Sequence, residues 1–458
     1  MTLIKSISGI RGTIGGPSGD NLTPQDIVEC TAGYGAWLKG EKSNCTVVIG
    51  RDGRASGSMV SSLVSQTLIA LGFNVIDLGL STTPSVEMAV PAYQADGGII
   101  LTASHNPMEW NALKLLNEKG EFISADDGKA FLEMIGTDAI QYAPIEKMGK
   151  YRQASGFIKE HIDSILDLPT VNTELIRKQN FSVIIDAVNS TGAIAIPPLL
   201  ERLGVSYEVI NGDISGHFAH NPEPLPAHLT ELCEKVRASD ADMGIAVDPD
   251  VDRLAFVAED GSWFGEEYTL VLVSDYLLRK TPGPTVSNLS SSRALRDLAA
   301  SHGQEYYAAA VGEVNVVTKM KEVGAVIGGE GNGGIIYPQL HYGRDALVGI
   351  ALALSHLAET GKSLSVLRRS FPQYEMYKGK VQLTPDTPTD EILEKMADHF
   401  SNEQLDRTDG VKIDLEDSWI HLRKSNTEPI IRIYTEASSY ARAEELGGEV
   451  RKIIESLV

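Results

Sequence analysis

The sequence predicts an α/β fold with three similar α/β domains, each built on a mixed, largely parallel sheet, and a C-terminal α+β domain. Three observations lead to this prediction. A strand, helix, glycine, strand layout occurs three times, short Val/Ile-rich runs alternate with helical patterns, and the pattern changes after Phe371. Short apolar runs that alternate with helices are typical of parallel strands buried on both faces by crossover helices.

The three copies share one order of elements: a β-rich run, a helix that ends at a glycine, and an apolar strand that leads into a polar loop. The copies are TVVIGRD at 46–52, Gly72 and GGIILTASHNP at 97–107; FSVIIDAVNS from Phe181, Gly204 and MGIAVDPDVDR at 243–253; and TVSNLSSS from Thr285, Gly303 and GAVIGGEGNGG at 324–334. The expected domains are residues 1–152, 153–255, 256–370 and 371–458, with linkers at 149–156, 254–260 and 370–373.

The chain is strongly acidic, since its 458 residues include 62 Asp and Glu against 40 Lys and Arg, for a formal net charge of −22. Such a protein has no general attraction for nucleic acid or anionic membranes, so an anionic ligand must be held by local basic or N–H groups. Cys30, Cys45 and Cys233 are far apart, which fits reduced thiols. The N-terminus does not resemble a signal peptide, and the apolar run at 346–354 is too short to span a membrane. We expect a cytoplasmic protein.

The first polar loop, TASHNP at 102–107, offers a nucleophile at the end of a strand. Ligands collect at the carboxyl ends of strands in open parallel sheets. Ser104 stands there with His105 beside it and Lys114 ten residues further on. The alternative is an ordinary turn or helix-cap serine. The loop is not a GxSxG motif, which disfavours a hydrolase elbow.

The second loop, DPDVDR, places Asp248, Asp250 and Asp252 at alternating positions after an apolar strand. Extended backbone sends alternate side chains to one side, where three carboxylates would repel each other without a cation. Oxygen ligands favour Mg²⁺, and Arg253 can balance charge or contact a phosphate. The alternative is an exposed acidic turn.

Two further loops suit a polyhydroxylated ligand and an anion, respectively. In GGEGNGG, Glu330 and Asn332 can hydrogen-bond vicinal hydroxyls, although the glycines alone also fit a simple turn. In the last domain, RKSNTEP and a nearby arginine form an anion-binding nest, unless the segment is an ordinary Ser/Thr turn. The nest comprises Arg423, Ser425, Asn426, Thr427 and Arg432. A zinc site at His217, His220 and His228 is disfavoured, because the segment reads as a loop with no helix to align the rings.

Taken in order, SGIRG at 8–12, TASHNP, DPDVDR, GEGNGG and RKSNTEP resemble the motif set of the α-D-phosphohexomutase superfamily, from residue 8 to about residue 437. The resemblance implies four domains around a cleft and a phosphoserine enzyme. It implies that Ser104 carries the phosphoryl group and that Mg²⁺ bridges its phosphate to Asp248, Asp250 and Asp252. GHFAHNPEP is similar to a family loop without a metal role.

The same resemblance assigns the remaining site residues. Arg11 and Lys114 match basic residues that attend proton transfer and the phosphoryl group, and His105 follows the family's SHNP. Arg253, Gly312, Glu330 and Asn332 fall among substrate contacts. Arg423, Ser425, Asn426, Thr427 and Arg432 match the loop that grips the nonreacting phosphate.

The expected activity is interconversion of hexose 6-phosphate and hexose 1-phosphate through a bisphosphorylated sugar, with glucose 1,6-bisphosphate or an analogous bisphosphate as activator. Glucosamine phosphate is the expected substrate, ahead of mannose or glucose phosphate. The alternatives are a Mg²⁺-dependent sugar phosphatase, against which the second phosphate nest argues, and a noncatalytic sugar-phosphate sensor, against which the intact Ser104 and aspartates argue. The expected assembly is a monomer or a homodimer.

Overall fold

The structure is a computed structural model that describes residues 1–6, 9–40, 42, 44–138, 140–384, 387–425 and 429–457. The chain forms two compact units. The first comprises Met1–Thr269 and Gly333–Val366, and the second comprises Leu270–Asn332 and Leu367–Val458.

The strands in chain order are β1 (Ile4–Ser6), β2 (Gly9–Thr13), β3 (Thr46–Arg51), β4 (Asn74–Leu80), β5 (Gly97–Leu101), β6 (Trp110–Leu116), β7 (Tyr151–Gln153), β8 (Ser182–Asp186), β9 (Ser206–Ile210), β10 (Met243–Val247), β11 (Leu254–Ala258), β12 (Thr285–Asn288), β13 (Tyr306–Ala309), β14 (Ile327–Glu330), β15 (Gly334–Ile336), β16 (Glu375–Gln382), β17 (Gln404–Asp406), β18 (Val411–Asp414), β19 (Trp419–Lys424) and β20 (Ile430–Ala437).

The α-helices are α1 (Pro24–Lys39), α2 (Gly57–Ala70), α3 (Thr83–Ala92), α4 (Ala125–Met134), α5 (Phe157–Leu166), α6 (Thr173–Gln179), α7 (Gly192–Leu203), α8 (Thr230–Arg237), α9 (Glu266–Leu278), α10 (Ala294–Ser301), α11 (Glu313–Val323), α12 (Ala346–Thr360), α13 (Leu364–Ser370), α14 (Thr389–His399) and α15 (Tyr440–Leu457). Short 3₁₀ turns occupy Ile145–Lys147 and Pro226–His228.

The first unit contains two sheets whose strand ends carry the candidate site. One has the order β1-β2-β6-β5-β3-β4-β7, with β3 parallel to β4 and β5 and with β6 antiparallel to β5 and β2. The other has the order β11-β10-β8-β9, with β8 parallel to β9 and β10 and with β10 and β11 as an antiparallel hairpin. Parallel strands point their carboxyl ends to one edge, so the loops after β5 and β10 are placed for binding.

Residues 254–258, which the sequence analysis included in a linker, form β11 instead. All five side chains of LAFVA are buried, and Leu254 lies opposite Val247 in the hairpin. Burial of this apolar run stabilises it as a strand rather than an exposed connection. The four domain boundaries remain predictions.

The longest apolar run of the sequence forms α12, a helix of the first unit that is buried from Ala346 to Ala358. Asp345 caps it, because its side chain accepts hydrogen bonds from the N–H groups of Leu347 and Val348. In the described part of the chain, no helix is both long and apolar enough to cross a membrane.

The second unit contains a parallel arrangement in which β12 pairs with β13 and β14, and an antiparallel sheet with the order β16-β20-β19-β18-β17. Apolar residues of α14 and α15, including Ile392 and Val450, pack with Ile413, Ile420 and Ile433 of that sheet. The predicted fold class, with repeated α/β sheets and a different C-terminal domain, is confirmed.

A buried histidine of the second unit gives a testable dependence of stability on pH. His421 Nε2 lies 2.7 Å from the carbonyl oxygen of Asp409 and Nδ1 lies 2.9 Å from Ser290 Oγ, so the neutral ring satisfies both groups. Burial lowers the pKa of His421 from 6.5 to about 4. The unfolded chain therefore binds the proton more tightly, and stability present above pH 6.5 is lost as the pH falls toward 4.

We expect His421→Gln to remove this part of the acid sensitivity. Between pH 6.5 and 4 the parent should lose up to roughly 3 kcal/mol more unfolding free energy than the variant, because its folded-state pKa is about 4. Chemical denaturation at several pH values checks this. Parallel pH profiles in the two proteins would contradict it.

Candidate active site

Ser104 lies in a tight loop directly after β5, and its side chain faces the aspartate loop. The residue has a positive φ of 50°, and its backbone N–H donates to Thr102 Oγ1 at 2.8 Å. The residue is only 6% exposed, and its hydroxyl donates to Asp248 Oδ2 at 2.6 Å, although the two residues are 144 positions apart in sequence. The hydroxyl therefore contacts a carboxylate and does not serve as a simple turn or cap group.

Arg54, which the sequence analysis did not identify, holds the Ser104 loop in place. Its side chain is fully buried, and Nε donates to Asp52 Oδ2 at 3.0 Å. The guanidinium also donates to the backbone carbonyl oxygens of Ser104 (2.5 Å), Asn106 (2.7 Å), Pro107 (2.6 Å) and Trp110 (3.0 Å). Arg54 follows the end of β3, the parallel neighbour of β5, so it lies at the same sheet edge as Ser104. This position could have identified Arg54 as a candidate from the sequence.

We expect Arg54→Met to destabilise the protein by about 3–5 kcal/mol, because it leaves Asp52 as a buried, uncompensated charge. Turnover per folded molecule should also fall, since the loop that carries Ser104 loses its anchor. Denaturant unfolding and steady-state kinetics measure the two effects. The control is Arg51→Met, which removes one hydrogen bond to the Asp52 carbonyl oxygen. Equal behaviour of the two variants would contradict the role of Arg54.

The three predicted metal ligands are brought together in the β10–β11 hairpin loop. Asp248, Asp250 and Asp252 are each 0% exposed, and one carboxylate oxygen from each lies within 4.8 Å of the others. Val251 between them has a positive φ of 62°. The alternative of an exposed acidic turn is thereby excluded, because the whole triad is buried.

Cations surround this triad. Lys114 Nζ lies 2.7 Å from Asp250 Oδ2 and 3.3 Å from Asp252 Oδ2. Arg344, which the sequence analysis missed, donates to Asp252 Oδ2 at 2.7 Å. Thr83, also missed, donates through Oγ1 to Asp250 Oδ2 at 2.6 Å. Neither of these two residues lies in a motif.

The electrostatics differ between members of the triad. Burial, followed by the charges of Asp252 and Asp250, raises the pKa of Asp248 well above its ordinary value. Burial acts the same way on Asp252, but the attraction of Arg344 and Lys114 outweighs it, so the pKa of Asp252 is lowered. Burial opposes the charge of Lys114, yet the two carboxylates prevail and raise its pKa. The negative charge is therefore least compensated at Asp248, the carboxylate next to Ser104.

The donor set of the triad fits Mg²⁺. Asp250 Oδ1 and Asp252 Oδ1 are buried and have no hydrogen-bond partner among the described residues. Buried acceptors without partners are costly, and a hard divalent cation supplies what they lack. All of the candidate ligands are oxygens, which favours Mg²⁺ over zinc.

The other predicted residues of the first unit lie around this centre. Arg253 donates to Glu223 Oε1 at 3.2 Å. Burial and the charge of Arg253 lower the pKa of His105 well below its ordinary value, so the ring is neutral. Arg11 of β2 pairs with Ala112 of β6, which places its side chain on the same face of the sheet as Lys114.

In the second unit, the predicted sugar-binding residues meet at Glu330. This carboxylate is 4% exposed and accepts hydrogen bonds from Gly312 N (3.1 Å), Asn332 Nδ2 (3.3 Å) and Asn288 Nδ2 (2.9 Å). Asn288 ends β12 and was not predicted. Glu330 is thus held in a fixed orientation at the end of β14.

The predicted phosphate nest contains directly opposed cations on the antiparallel sheet. Arg423 of β19 lies opposite Arg432 of β20, which lies opposite Lys380 of β16. Like charges in adjacent positions destabilise a sheet unless an anion compensates. Lys380 was not predicted. Ser425 N donates to the Ile430 carbonyl oxygen at 3.1 Å, whereas Asn426 and Thr427 lie outside the described residues.

The discarded zinc hypothesis can be compared with the actual surroundings of its histidines. His220 Nε2 lies 3.0 Å from Asp186 Oδ2, and His228 Nδ1 lies 2.9 Å from the Glu223 carbonyl oxygen. Within the described ranges, these rings do not belong to any cluster that could hold a metal ion.

Four family models match the chain in order. They are Phosphoglucomutase/phosphomannomutase, alpha/beta/alpha domain I over residues 3–139, domain II over 159–261 and domain III over 265–374, and the C-terminal domain over 380–453. The chain belongs to this family, part of the α-D-phosphohexomutase superfamily, which confirms the resemblance seen in the motifs.

The most similar relatives extend over nearly the whole chain. A phosphoglucomutase/phosphomannomutase of Thermococcus kodakarensis is 35% identical over 442 residues, covering 95% of each chain. A probable phosphoglucosamine mutase of Methanopyrus kandleri is 33% identical, covering 98% of this chain and 97% of its own. A phosphoglucomutase/phosphomannomutase family protein of Burkholderia thailandensis has a structure with a TM-score of 0.86 at 25% identity, covering 99% and 97%. The activity is therefore that of a phosphohexomutase, an isomerase. A structure of the same fold, that of an Aspergillus fumigatus N-acetylphosphoglucosamine mutase, is a complex with magnesium.

Proposed function

We propose that the chain interconverts glucosamine 6-phosphate and glucosamine 1-phosphate, with Ser104 as the phosphoryl carrier. The observation that carries the assignment of Ser104 is its hydroxyl, 2.6 Å from Asp248 at the edge of a buried aspartate triad. Phosphoryl transfer requires positioning and charge neutralisation more than covalent chemistry from the protein. A fixed hydroxyl beside a cation site supplies both.

In the forward half-reaction, the bond between Ser104 Oγ and phosphorus breaks while a bond from phosphorus to a sugar hydroxyl forms. The sugar hydroxyl loses its proton as the leaving Ser104 Oγ takes one up to become a free hydroxyl, and Arg11 and Lys114 are the basic residues that attend this exchange. The resulting bisphosphorylated sugar reorients in the site, and its other phosphoryl group is then transferred to Ser104. Glucose 1,6-bisphosphate activates the enzyme by phosphorylating any Ser104 that has lost its group.

Asp248, Asp250 and Asp252 would hold the Mg²⁺, which supplies positive charge for the phosphoryl oxygens during transfer. Lys114 neutralises Asp250 and Asp252 and lies beside the reacting phosphate. Glu330 and Asn332 contact sugar hydroxyls, with Gly312 N fixing the carboxylate of Glu330.

Arg423 and Arg432, with Ser425, Asn426 and Thr427, bind the phosphate that is not transferred. A hydrogen bond to a charged group contributes about 1.5–3 kcal/mol. We therefore expect Arg423→Ala to raise KM for the phosphosugar by about tenfold to a hundredfold, with a smaller effect on stability. The matched control is the exposed helix arginine variant Arg442→Ala, which should leave KM unchanged. If Arg423→Ala also leaves it unchanged, the segment is only a turn.

The choice of glucosamine is supported by the name of the Methanopyrus relative, while the Thermococcus relative favours phosphoglucomutase/phosphomannomutase as the second candidate. None of Gly312, Glu330 or Asn332 is specific for the substituent at the sugar's second carbon, where the three sugars differ. A sugar phosphatase is less well supported than a mutase, because a phosphatase needs no second phosphate site.

A side-by-side assay with glucosamine, mannose and glucose 1-phosphates, primed by glucose 1,6-bisphosphate, decides the sugar by kcat/KM. Glucosamine 1-phosphate should give the highest value. If mannose or glucose 1-phosphate is turned over at least about tenfold better, the second candidate replaces it. Release of inorganic phosphate without isomerisation would favour the phosphatase. The monomeric or homodimeric state and the cytoplasmic location are part of the same proposal.

A further inference from the structure

A second cluster of potential metal ligands lies in the first unit and shares no residue with the aspartate triad. It joins α5, which carries His161, to the segment before α12, which carries His341 and Asp345. Asp345 Oδ2 is 2.9 Å from His161 Nε2 and 3.4 Å from His341 Nε2. His161 and Asp345 are fully buried, and the side chain of His341 is 13% exposed.

The outer nitrogen of each ring is held by a separate group from α3. His161 Nδ1 lies 2.9 Å from Ser85 Oγ, and His341 Nδ1 lies 3.5 Å from Glu87 Oε2. Histidines that bind metals nearly always donate the N–H of their other ring nitrogen to an oxygen acceptor, such as a carboxylate or a carbonyl. The two rings therefore have the orientation that metal ligands require.

The carboxylate of Asp345 is divided between two roles. Its Oδ1 accepts hydrogen bonds from Leu347 N and Val348 N at the start of α12. This leaves Oδ2 directed at both imidazoles. Ligands of a four-coordinate zinc ion at ordinary bond lengths lie about 3.3 Å apart, close to the 2.9 and 3.4 Å found around Asp345 Oδ2.

A neutral ring cannot satisfy both partners of His341 by hydrogen bonding. A neutral imidazole has one N–H, so it can donate to one acceptor only. His341 faces a carboxylate with each nitrogen, Asp345 on one side and Glu87 on the other. A doubly protonated ring or a metal cation at Nε2, with the proton at Nδ1 facing Glu87, satisfies both carboxylates. The metal is favoured because a second imidazole, that of His161, points at the same Asp345 oxygen.

We propose that His161 Nε2, His341 Nε2 and Asp345 Oδ2 bind a Zn²⁺ ion, which links α5 to the start of α12. Two nitrogens and one oxygen suit zinc, in contrast to the oxygen-only triad that suits Mg²⁺. Binding displaces any proton from the two Nε2 atoms. The ion has a structural role, because the cluster contains no group assigned to phosphoryl transfer.

The test uses the full chain without a histidine tag, stripped with chelator and then held in excess Mg²⁺ so that the aspartate triad is filled. Zn²⁺ is titrated by calorimetry, bound metal is counted by elemental analysis, and Co²⁺ is substituted to record its visible spectrum. The parent should bind one Zn²⁺ tightly, and its Co²⁺ form should show bands typical of a four-coordinate site with nitrogen ligands. Thermal unfolding should shift upward on Zn²⁺ addition.

Three variants separate the site from incidental binding. His341→Ala should weaken Zn²⁺ binding more than about 100-fold, and Glu87→Gln by about 10–100-fold, as expected for an outer partner. The control His302→Ala removes a ring that pairs with Asp275 at 2.9 Å without a second histidine, and it should bind Zn²⁺ like the parent.

Equal affinity in the parent and His341→Ala, or no tight binding in the parent, would overturn the proposal. If His341→Ala does not fold, an unchanged affinity in Glu87→Gln overturns it and a weakened one supports it. Mutase activity is not part of the readout, so failure here leaves the proposed function intact.

Discussion

Ser104→Ala is expected to lose nearly all mutase turnover, by about three orders of magnitude or more, because it removes the oxygen that forms and breaks the phosphoryl bond. The aspartate triad and the Arg54 contacts to the loop backbone do not need the hydroxyl, so the variant should fold. Steady-state kinetics with a saturating bisphosphate activator measures the loss, and thermal unfolding checks the fold.

The matched control is Ser65→Ala, another buried serine, whose hydroxyl donates to the Ser61 carbonyl oxygen within α2. This variant should keep its turnover, because α2 contributes no group to the site. An active Ser104→Ala enzyme, with phosphate located on another residue, would refute the assignment of the carrier.

Removal of Mg²⁺ is expected to abolish activity, and its return to restore it. Asp250→Asn keeps the shape of the side chain but removes one negative charge from the ligand set, so the Mg²⁺ concentration needed for half-maximal activity should rise by about tenfold to a hundredfold. The control Asp240→Asn changes an exposed carboxylate outside the triad and should leave the requirement unchanged. Full activity in excess chelator is incompatible with the proposed role of the triad.

The loops that carry Ser104 and the aspartates could be predicted from the sequence, because the ends of strands are local features. Apolar runs that stop at a polar loop identified the loops of Ser104 and Asp248, and parallel topology placed them at one edge. The spacing of the aspartates also predicted a shared centre, which the structure forms in a hairpin between β10 and β11. The error at residues 254–258 has the same origin, since a short apolar run after a turn can be read as a linker or as a returning strand.

The partners that orient the site could not be predicted because they depend on contacts between distant segments. Arg54 binds carbonyl oxygens whose positions are fixed by the turn at Ser104. Every residue has a backbone carbonyl, so a sequence pattern does not show which of them an arginine will contact. Thr83 starts a helix, where a threonine is ordinary, yet it contacts Asp250, 167 residues away. Arg344 lies outside every motif and reaches Asp252 only through the fold.

The role of Ser104 as phosphoryl carrier is tested most directly by transfer of an isotopically labelled phosphoryl group from glucose 1,6-bisphosphate to the dephosphorylated protein, followed by peptide mapping. The label should appear on Ser104 and leave again when hexose 1-phosphate or 6-phosphate is added, returning as the bisphosphorylated sugar. Label on any other residue, or label on Ser104 that does not return to sugar, would contradict this role.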